Sequence, residues 1–189
     1  MNNSPEEKLE RIYNATIKLT SSVGLVGLKM SSIAKEAGIA SGTLYLYFKS
    51  KEELLNTLFY KLKSGGAISI LNEIGDLPIR IQLFKIWESS FNLMIVNQDK
   101  LFFIDQFNTS PFISEEIQIK KDYFYLFISK LMTRGKEEQI IKDVDNTVLI
   151  SLVKGFLNSY TSLIVKNNIP VNDQLIKESF DLAWDAIKR

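Results

Sequence analysis

Residues 29–51 read KMSSIAKEAGIASGTLYLYFKSK, and the order of small, bulky and polar residues along them decides how the chain is organised. Residues 30–37 and 41–48 each have helical spacing, and Gly38-Ile39-Ala40 separates them. Two short helices joined by a turn of three or four residues, often with a glycine, make a helix-turn-helix. Gly38 suits that turn because a left-handed backbone there meets no Cβ penalty. Ile33, Ala34 and Ala37 give the first helix its inward side, and the two alanines permit close helix approach. Leu44 and Phe48, four apart, anchor the second helix to a core. Tyr45, Leu46 and Tyr47 are consecutive and bulky, and a helix cannot turn all three toward one core. The edge made of Ser41, Gly42, Thr43, Tyr45, Leu46 and Tyr47 is therefore expected to point outward. Its hydroxyls and first-turn N–H groups suit phosphates, and its tyrosines can reach backbone or base edges in a major groove. Lys51, beside the positive end of the next helix, adds a charge that attracts a phosphate.

The helical pattern continues on both sides. Upstream, Leu9, Ile12, Tyr13, Thr16, Leu19 and Val23 recur at three and four, with Pro5 in a first turn and Gly24 as a stop. Downstream, Ser50 and Glu53 have the spacing of a capping box and open a long helix with Leu54, Leu55, Leu58, Phe59 and Leu62 on its buried side. Gly65-Gly66 fall inside that helix. Each costs about 1 kcal/mol against alanine, which predicts a kink or break there and a hinge. Further helices are expected from Pro78, over 100–107, from Ser114 to a stop near Gly135, from an Asp143 cap to Lys166, and from about Asn172 to the end. No strand alternation stands out, so the fold class is all-α.

Composition narrows the function. With 46% hydrophobic residues the chain can bury a core. It has no His and no Cys, which removes the usual triads, thiol nucleophiles and nearly every transition-metal site. The expectation is a protein that is not an enzyme and carries no cofactor or metal. No uninterrupted apolar run reaches the roughly 20 residues of a membrane helix, and MNNSPEEKLER lacks the basic start and apolar core of a signal peptide. A cytoplasmic protein without a membrane segment is expected. Residues 1–63 hold nine Lys/Arg against six Asp/Glu, a net of +3, and residues 64–189 hold fourteen against sixteen, a net of −2. That asymmetry points to nucleic acid at the N-terminal end.

The string IAKEAGIASGTLYLYFKSKEELL, residues 33–55, resembles the DNA-binding signature of the tetracycline-repressor family, with its IA…AG…GTLY.YF.SKEEL pattern. The likeness is strong over about residues 6–63. It implies an N-terminal three-helix helix-turn-helix DNA-binding domain over 1–63 and a C-terminal helical ligand-binding and dimerisation domain over 64–189. It further implies that Ser41, Gly42, Thr43, Tyr45, Leu46 and Tyr47 line the groove while Ser31 and Lys51 meet phosphates. Three positions depart from the pattern. Ala40 stands where a Ser cap is common, Ser41 where a Lys is common, and Leu46 at a usually polar position. The first two remove capping or phosphate interactions, and Leu46 could touch a thymine methyl.

Beyond residue 64 two features stand out. Aromatic residues crowd 84–127, and large rings leave gaps when they pack together. They either fill a core or line a pocket for an apolar ligand. The resemblance favours an effector pocket, for which Trp87, Phe91, Phe102, Phe103, Phe107, Tyr123, Phe124 and Phe127 are the candidates. The last two helices carry Val148, Leu149, Leu152, Val153, Phe156, Leu157 and Tyr160 beside a stripe of Ser151, Gly155, Ser159 and Ser162, then Ile176, Phe180, Ala183, Trp184 and Ile187. A helix apolar on more than one side is buried on more than one side, within the chain or against a partner. The family pairs these helices in a homodimer, which would present two motifs to a pseudo-palindromic operator. The resemblance thus implies a ligand-responsive DNA-binding regulator, a repressor released from operator DNA by a small hydrophobic effector. A helical carrier would share the pocket and lack the exposed DNA edge.

Overall fold

The computed structural model describes residues 4–71, 77–119 and 123–189, the side chains of 66–71, 118, 119 and 123 excepted. These residues form ten helices and no strand, as the all-α expectation requires: α1 Pro5–Gly27, α2 Met30–Glu36, α3 Ser41–Tyr47, α4 Lys51–Leu71, α5 Ile79–Val96, α6 Gln98–Asn108, α7 Glu115–Ile119, α8 Tyr123–Glu137, α9 Asn146–Lys166 and α10 Asp173–Ile187.

Local chemistry accounts for most boundaries. Ser4 and Glu7 cap α1 reciprocally, with Pro5 in the first turn. Gly24, at φ 67°, interrupts α1 where a stop is expected. At the start of α4 the Glu53 N–H donates to Ser50 Oγ (3.1 Å) and Glu53 Oε2 accepts from the Lys49 N–H (2.7 Å). The anticipated serine–glutamate pair therefore forms, with the carboxylate reaching one residue beyond the serine.

Two expectations need correction. The helix α4 runs on through Gly65-Gly66 to Leu71, without the predicted break. Helix nucleation is the costly step and fourteen residues precede Gly65, so two unfavourable residues do not stop propagation. The stretch expected to be helical from Ser114 to near Gly135 is helical as α7 and α8, and its continuity over residues 120–122 lies outside the described residues. The cap of α9 is Asp145 rather than Asp143. Its carboxylate accepts from the N–H groups of Thr147 (2.8 Å) and Val148 (3.4 Å), and these bonds hold its pKa below the ordinary aspartate value. By length and composition α9 would also pass for a membrane-crossing helix, with mean hydropathy 1.5, but passing that test does not make it one. Its charges are too few to lower that average, although they interrupt every apolar run.

The chain divides into two compact units. The first holds Met1–Gly65 and Asn97–Lys120, the second Gly66–Val96 and Lys121–Arg189. In the first, Ile12, Ile33, Leu44, Leu54, Leu55, Leu58, Phe103 and Phe107 are buried together. In the second, α5, α8, α9 and α10 enclose Trp87, Phe91, Met132, Leu149, Leu157, Ile176, Phe180 and Trp184. The buried Trp87 indole donates to Ser179 Oγ (3.0 Å), and the Arg80–Asp181 ion pair (2.5 Å) joins α5 to α10.

Near the expected stop, Gly135 lies two residues inside the end of its helix. It is buried within α8, which continues to Glu137 before Gln139 takes a left-handed backbone. The glycine serves close approach: a Cβ there would lie 2.5 Å from Ile141 Cδ1, itself buried. Gly135→Ala should cost about 1–3 kcal/mol by overpacking, read as a lower urea midpoint. Adding Ile141→Ala should make the combined loss smaller than the sum of the two single losses; strict additivity would show that the two positions do not crowd each other.

Candidate nucleic-acid interface

The edge of α3 forms from the burial of its opposite side. Leu44 and Phe48 are buried in the first unit, where Phe48 also meets the ring of Tyr13 at 6.0 Å. Ile33, Ala34 and Ala37 of α2 and its cap are buried with them. The outward residues follow from helical geometry. Ser41 and Gly42 are exposed, Thr43 and Tyr47 partly so, Tyr45 is 53% exposed and Leu46 86%. An exposure that high for a leucine on a two-turn helix leaves its side chain almost free of the protein's own core. Ser31, in the first turn of α2, is exposed as well.

The turn preceding α3 has the expected form. Gly38 takes φ 64°, the left-handed region, and the N–H groups of Gly38 and Ile39 return to the carbonyls of Lys35 (3.1 Å) and Ala34 (2.9 Å). Ala40 caps α3 without any side-chain hydrogen bond, the consequence expected of an alanine there. The Tyr47 hydroxyl approaches the Pro5 carbonyl oxygen at 3.5 Å, so this ring leans toward the start of α1 while Tyr45 stays outward.

Lys51 is placed differently from a free phosphate ligand. It is partly buried, its ammonium donates to the Leu25 carbonyl oxygen (3.3 Å) and lies 4.5 Å from the centre of the Phe112 ring. A lysine stem is flexible enough to swing outward, at the loss of those two contacts. Lys29, Lys35 and Lys49 are exposed cations in and beside the motif that the sequence reading did not single out. Their signal was available: each lies beside a residue the motif buries.

The eight aromatic candidates for effector binding do not gather in one place. Trp87 and Phe91 are buried in the second unit, and Phe124 and Phe127 pack against that core. Phe103 and Phe107 are buried in the first unit, where they stack at 5.8 Å and Phe107 meets Phe59 at 4.9 Å. Phe102 is 43% exposed, and Tyr123 lies in α8 with its side chain outside the described residues. The second unit instead supplies rings from α9. Phe156 meets Trp87 at 5.8 Å, Tyr160 meets Phe91 at 6.3 Å, and Phe156 stacks on Tyr160 at 5.6 Å. Periodicity alone could not say which face of α9 would take these two rings.

Two family models match. One, described as bacterial regulatory proteins of the tetR family, covers residues 12–58; the other, a tetracyclin repressor-like C-terminal domain, covers residues 52–189. The chain is 24% identical over 191 residues to an HTH-type transcriptional regulator of Haemophilus influenzae, covering 100% of both chains. Among solved structures, it resembles a TetR family transcription regulator from Marinobacter aquaeolei with TM-score 0.84 at 23% identity, covering 97% of this chain and 96% of that one. It also resembles the transcriptional regulator FadR from Bacillus subtilis, solved in complex with stearoyl-CoA, with TM-score 0.71 at 20% identity over 93% and 95% of the two chains. The exposed edge on a buried, glycine-turned helix pair thus stands inside a matched family region, and from Ile12 onward the chain is covered by family models: it belongs to the tetR family of bacterial regulatory proteins and is a transcriptional regulator.

Proposed function

We propose that this regulator is a cytoplasmic repressor that binds a pseudo-palindromic operator as a homodimer and leaves it when a small hydrophobic effector binds. In this reading residues 1–63 are the DNA-binding domain and residues 64–189 the ligand-binding and dimerisation domain. The observation that carries it is the α3 edge, with Tyr45 and Leu46 outward and Leu44 and Phe48 held in the core. Ser41, Gly42, Thr43, Tyr45, Leu46 and Tyr47 meet the groove, and Ser31 and Lys51 the phosphates. Two such edges would lie about one helical turn apart, or a multiple of it, on the operator.

The second copy is supported by the outer face of α9. Val148 and Leu152 are exposed, and Ser151, Gly155, Ser159 and Ser162 are exposed in the same strip, where they would let a second helix approach closely. A Cβ at Gly155 would meet nothing within 4 Å, so the glycine is not required by the chain's own packing. On α10, Leu182 is exposed too. The apolar character that makes α9 resemble a membrane helix is, in this reading, that of a subunit interface.

The effector is assigned to the second unit, where Trp87, Phe91, Phe124, Phe127, Phe156 and Tyr160 form the aromatic core. An apolar molecule entering there acts only through its different affinity for the DNA-competent and released states, usually 1–3 kcal/mol of coupling. FadR from Bacillus subtilis was solved with stearoyl-CoA, which makes a long-chain acyl thioester the first class to test.

The deciding experiment selects an operator from random duplexes and titrates it by fluorescence anisotropy. Stearoyl-CoA, a free fatty acid and an unrelated apolar dye are then added in turn. Release by one of them, with that molecule's own affinity reduced by operator by the same factor, is expected; affinities that ignore each other would indicate a carrier instead. Leu152→Arg should yield monomers by light scattering and weaken operator binding, and a dimer that persists unchanged would place the interface elsewhere. For Lys51→Ala, the slope of log affinity against log salt should fall by about 0.9 on all duplexes alike. An unchanged slope would confine Lys51 to its contacts with Leu25 and Phe112.

A further inference from the structure

The α3 helix has seven residues, no side-chain cap and only two residues of its length and cap fully buried, so its direction is not set by its own helical stability. Its direction is set by the turn before it, and that turn is held from outside the motif. The Arg11 guanidinium, two turns into α1, donates through Nη2 to the carbonyl oxygens of both Ala37 and Gly38, the latter at 2.9 Å. These two carbonyls lie at the end of α2 and in the left-handed turn, where the chain leaves the helix and no following helical N–H can reach them. Lys18, seven residues further along the same face of α1, pairs with Glu36 at 2.5 Å. Two cations of α1 thus grip the carbonyl end of α2, where the helix dipole is negative. The glycine is part of the arrangement: a Cβ on Gly38 would lie 2.5 Å from Arg11 Nη2, in the space the guanidinium uses.

We propose that Arg11 is a positioning residue for DNA recognition: by tying α1 to the two turn carbonyls, it fixes the angle at which α3 leaves α2 and enters the groove. The role rests on α3 being the reading helix, and it explains how the chain manages with alanine at position 40. A serine cap would pin the start of α3 from within; here a charge-assisted pair of hydrogen bonds pins the turn from the neighbouring helix. The tie is geometric, so it should matter for operator sequence and leave sequence-independent attraction to phosphates intact.

The test compares Arg11→Met and Arg11→Lys with the unaltered protein, well below the melting temperature, on the selected operator and on a random duplex across a salt series. Lysine offers a single ammonium in place of the planar fork, so it can hold only part of the clamp. The expected result is an operator affinity about tenfold lower for Arg11→Met, a smaller loss for Arg11→Lys, and an unchanged affinity and salt slope on random duplex. If operator and random duplex weaken together with a shallower slope, Arg11 is a phosphate contact and the proposal is wrong. If the melting temperature falls while operator affinity holds, the clamp serves only stability and the proposal is wrong. Should Arg11→Met not fold, Arg11→Lys is read by the same criteria. Leu46→Glu separates the two levels: if it too leaves operator binding untouched, α3 is not the reading helix and both readings fail, whereas a loss for Leu46→Glu alone overturns the role of Arg11 only.

Discussion

Two turns of helix cannot hold themselves together in water, and the exposed edge that carries Tyr45 and Leu46 is built on such a helix. What makes it possible is the burial of Leu44 and Phe48, four residues apart, in a core contributed by α1, α2 and α4. Once those two side chains are fixed, helical geometry leaves Tyr45 and Leu46 no route inward. Exposed apolar area on this edge is therefore a consequence of the anchor rather than a packing failure. The same burial explains why the edge needs support at its start: hydrophobic contacts are not directional, and an anchored helix without a cap can still rotate about its anchors. Polar ties from α1, at the turn through Arg11 and near the end through the Tyr47 hydroxyl, supply that direction.

This division between non-directional burial and directional ties sets what the sequence could disclose. The α3 face was legible because neighbouring residues of unlike size force a choice of sides within one helix turn. Gly24 and Gly38 were legible because a left-handed residue has few alternatives to glycine, and both take positive φ. Arg11 was not legible, since its partners lie 26 and 27 residues away and a backbone carbonyl carries no mark in the sequence. Gly135 disclosed the end of α8 to within two residues but not its own packing, for a related reason. A glycine near a helix end and a glycine under a packed isoleucine look alike until Ile141 is placed. Asp143 and Asp145 are the same residue type two positions apart, and the first hydrogen bonds of α9 go to Asp145 rather than to the expected Asp143.

Aromatic density was the weakest guide. A cluster of rings between residues 84 and 127 reads as one feature along the chain, yet the chain passes from one compact unit to the other within it. Phe103 and Phe107 belong to the core that supports the α3 edge, while Trp87 and Phe91 belong to the other. Hydrophobicity says that a ring will be buried and does not say with what. The same ambiguity affected α9, where a wide apolar stripe concealed two surfaces: Leu149, Phe156, Leu157 and Tyr160 pack within the unit, and Val148 and Leu152 remain exposed.

That two-sidedness has a mechanical meaning. A 21-residue α-helix is stiff over its length of roughly 30 Å, so its inner rings and outer strip cannot shift independently. Packing interiors are dense and respond to an inserted group by discrete rearrangement rather than by smooth compression. A molecule that displaced Phe156 and Tyr160 from Trp87 and Phe91 would therefore tilt the face that carries Leu152 and Gly155. If that face meets its copy in a second subunit, the tilt is applied twice, in opposite senses about the symmetry axis. Three covalent crossings, after Gly65, Val96 and Lys120, connect the two units of each chain. Of these the first lies within α4.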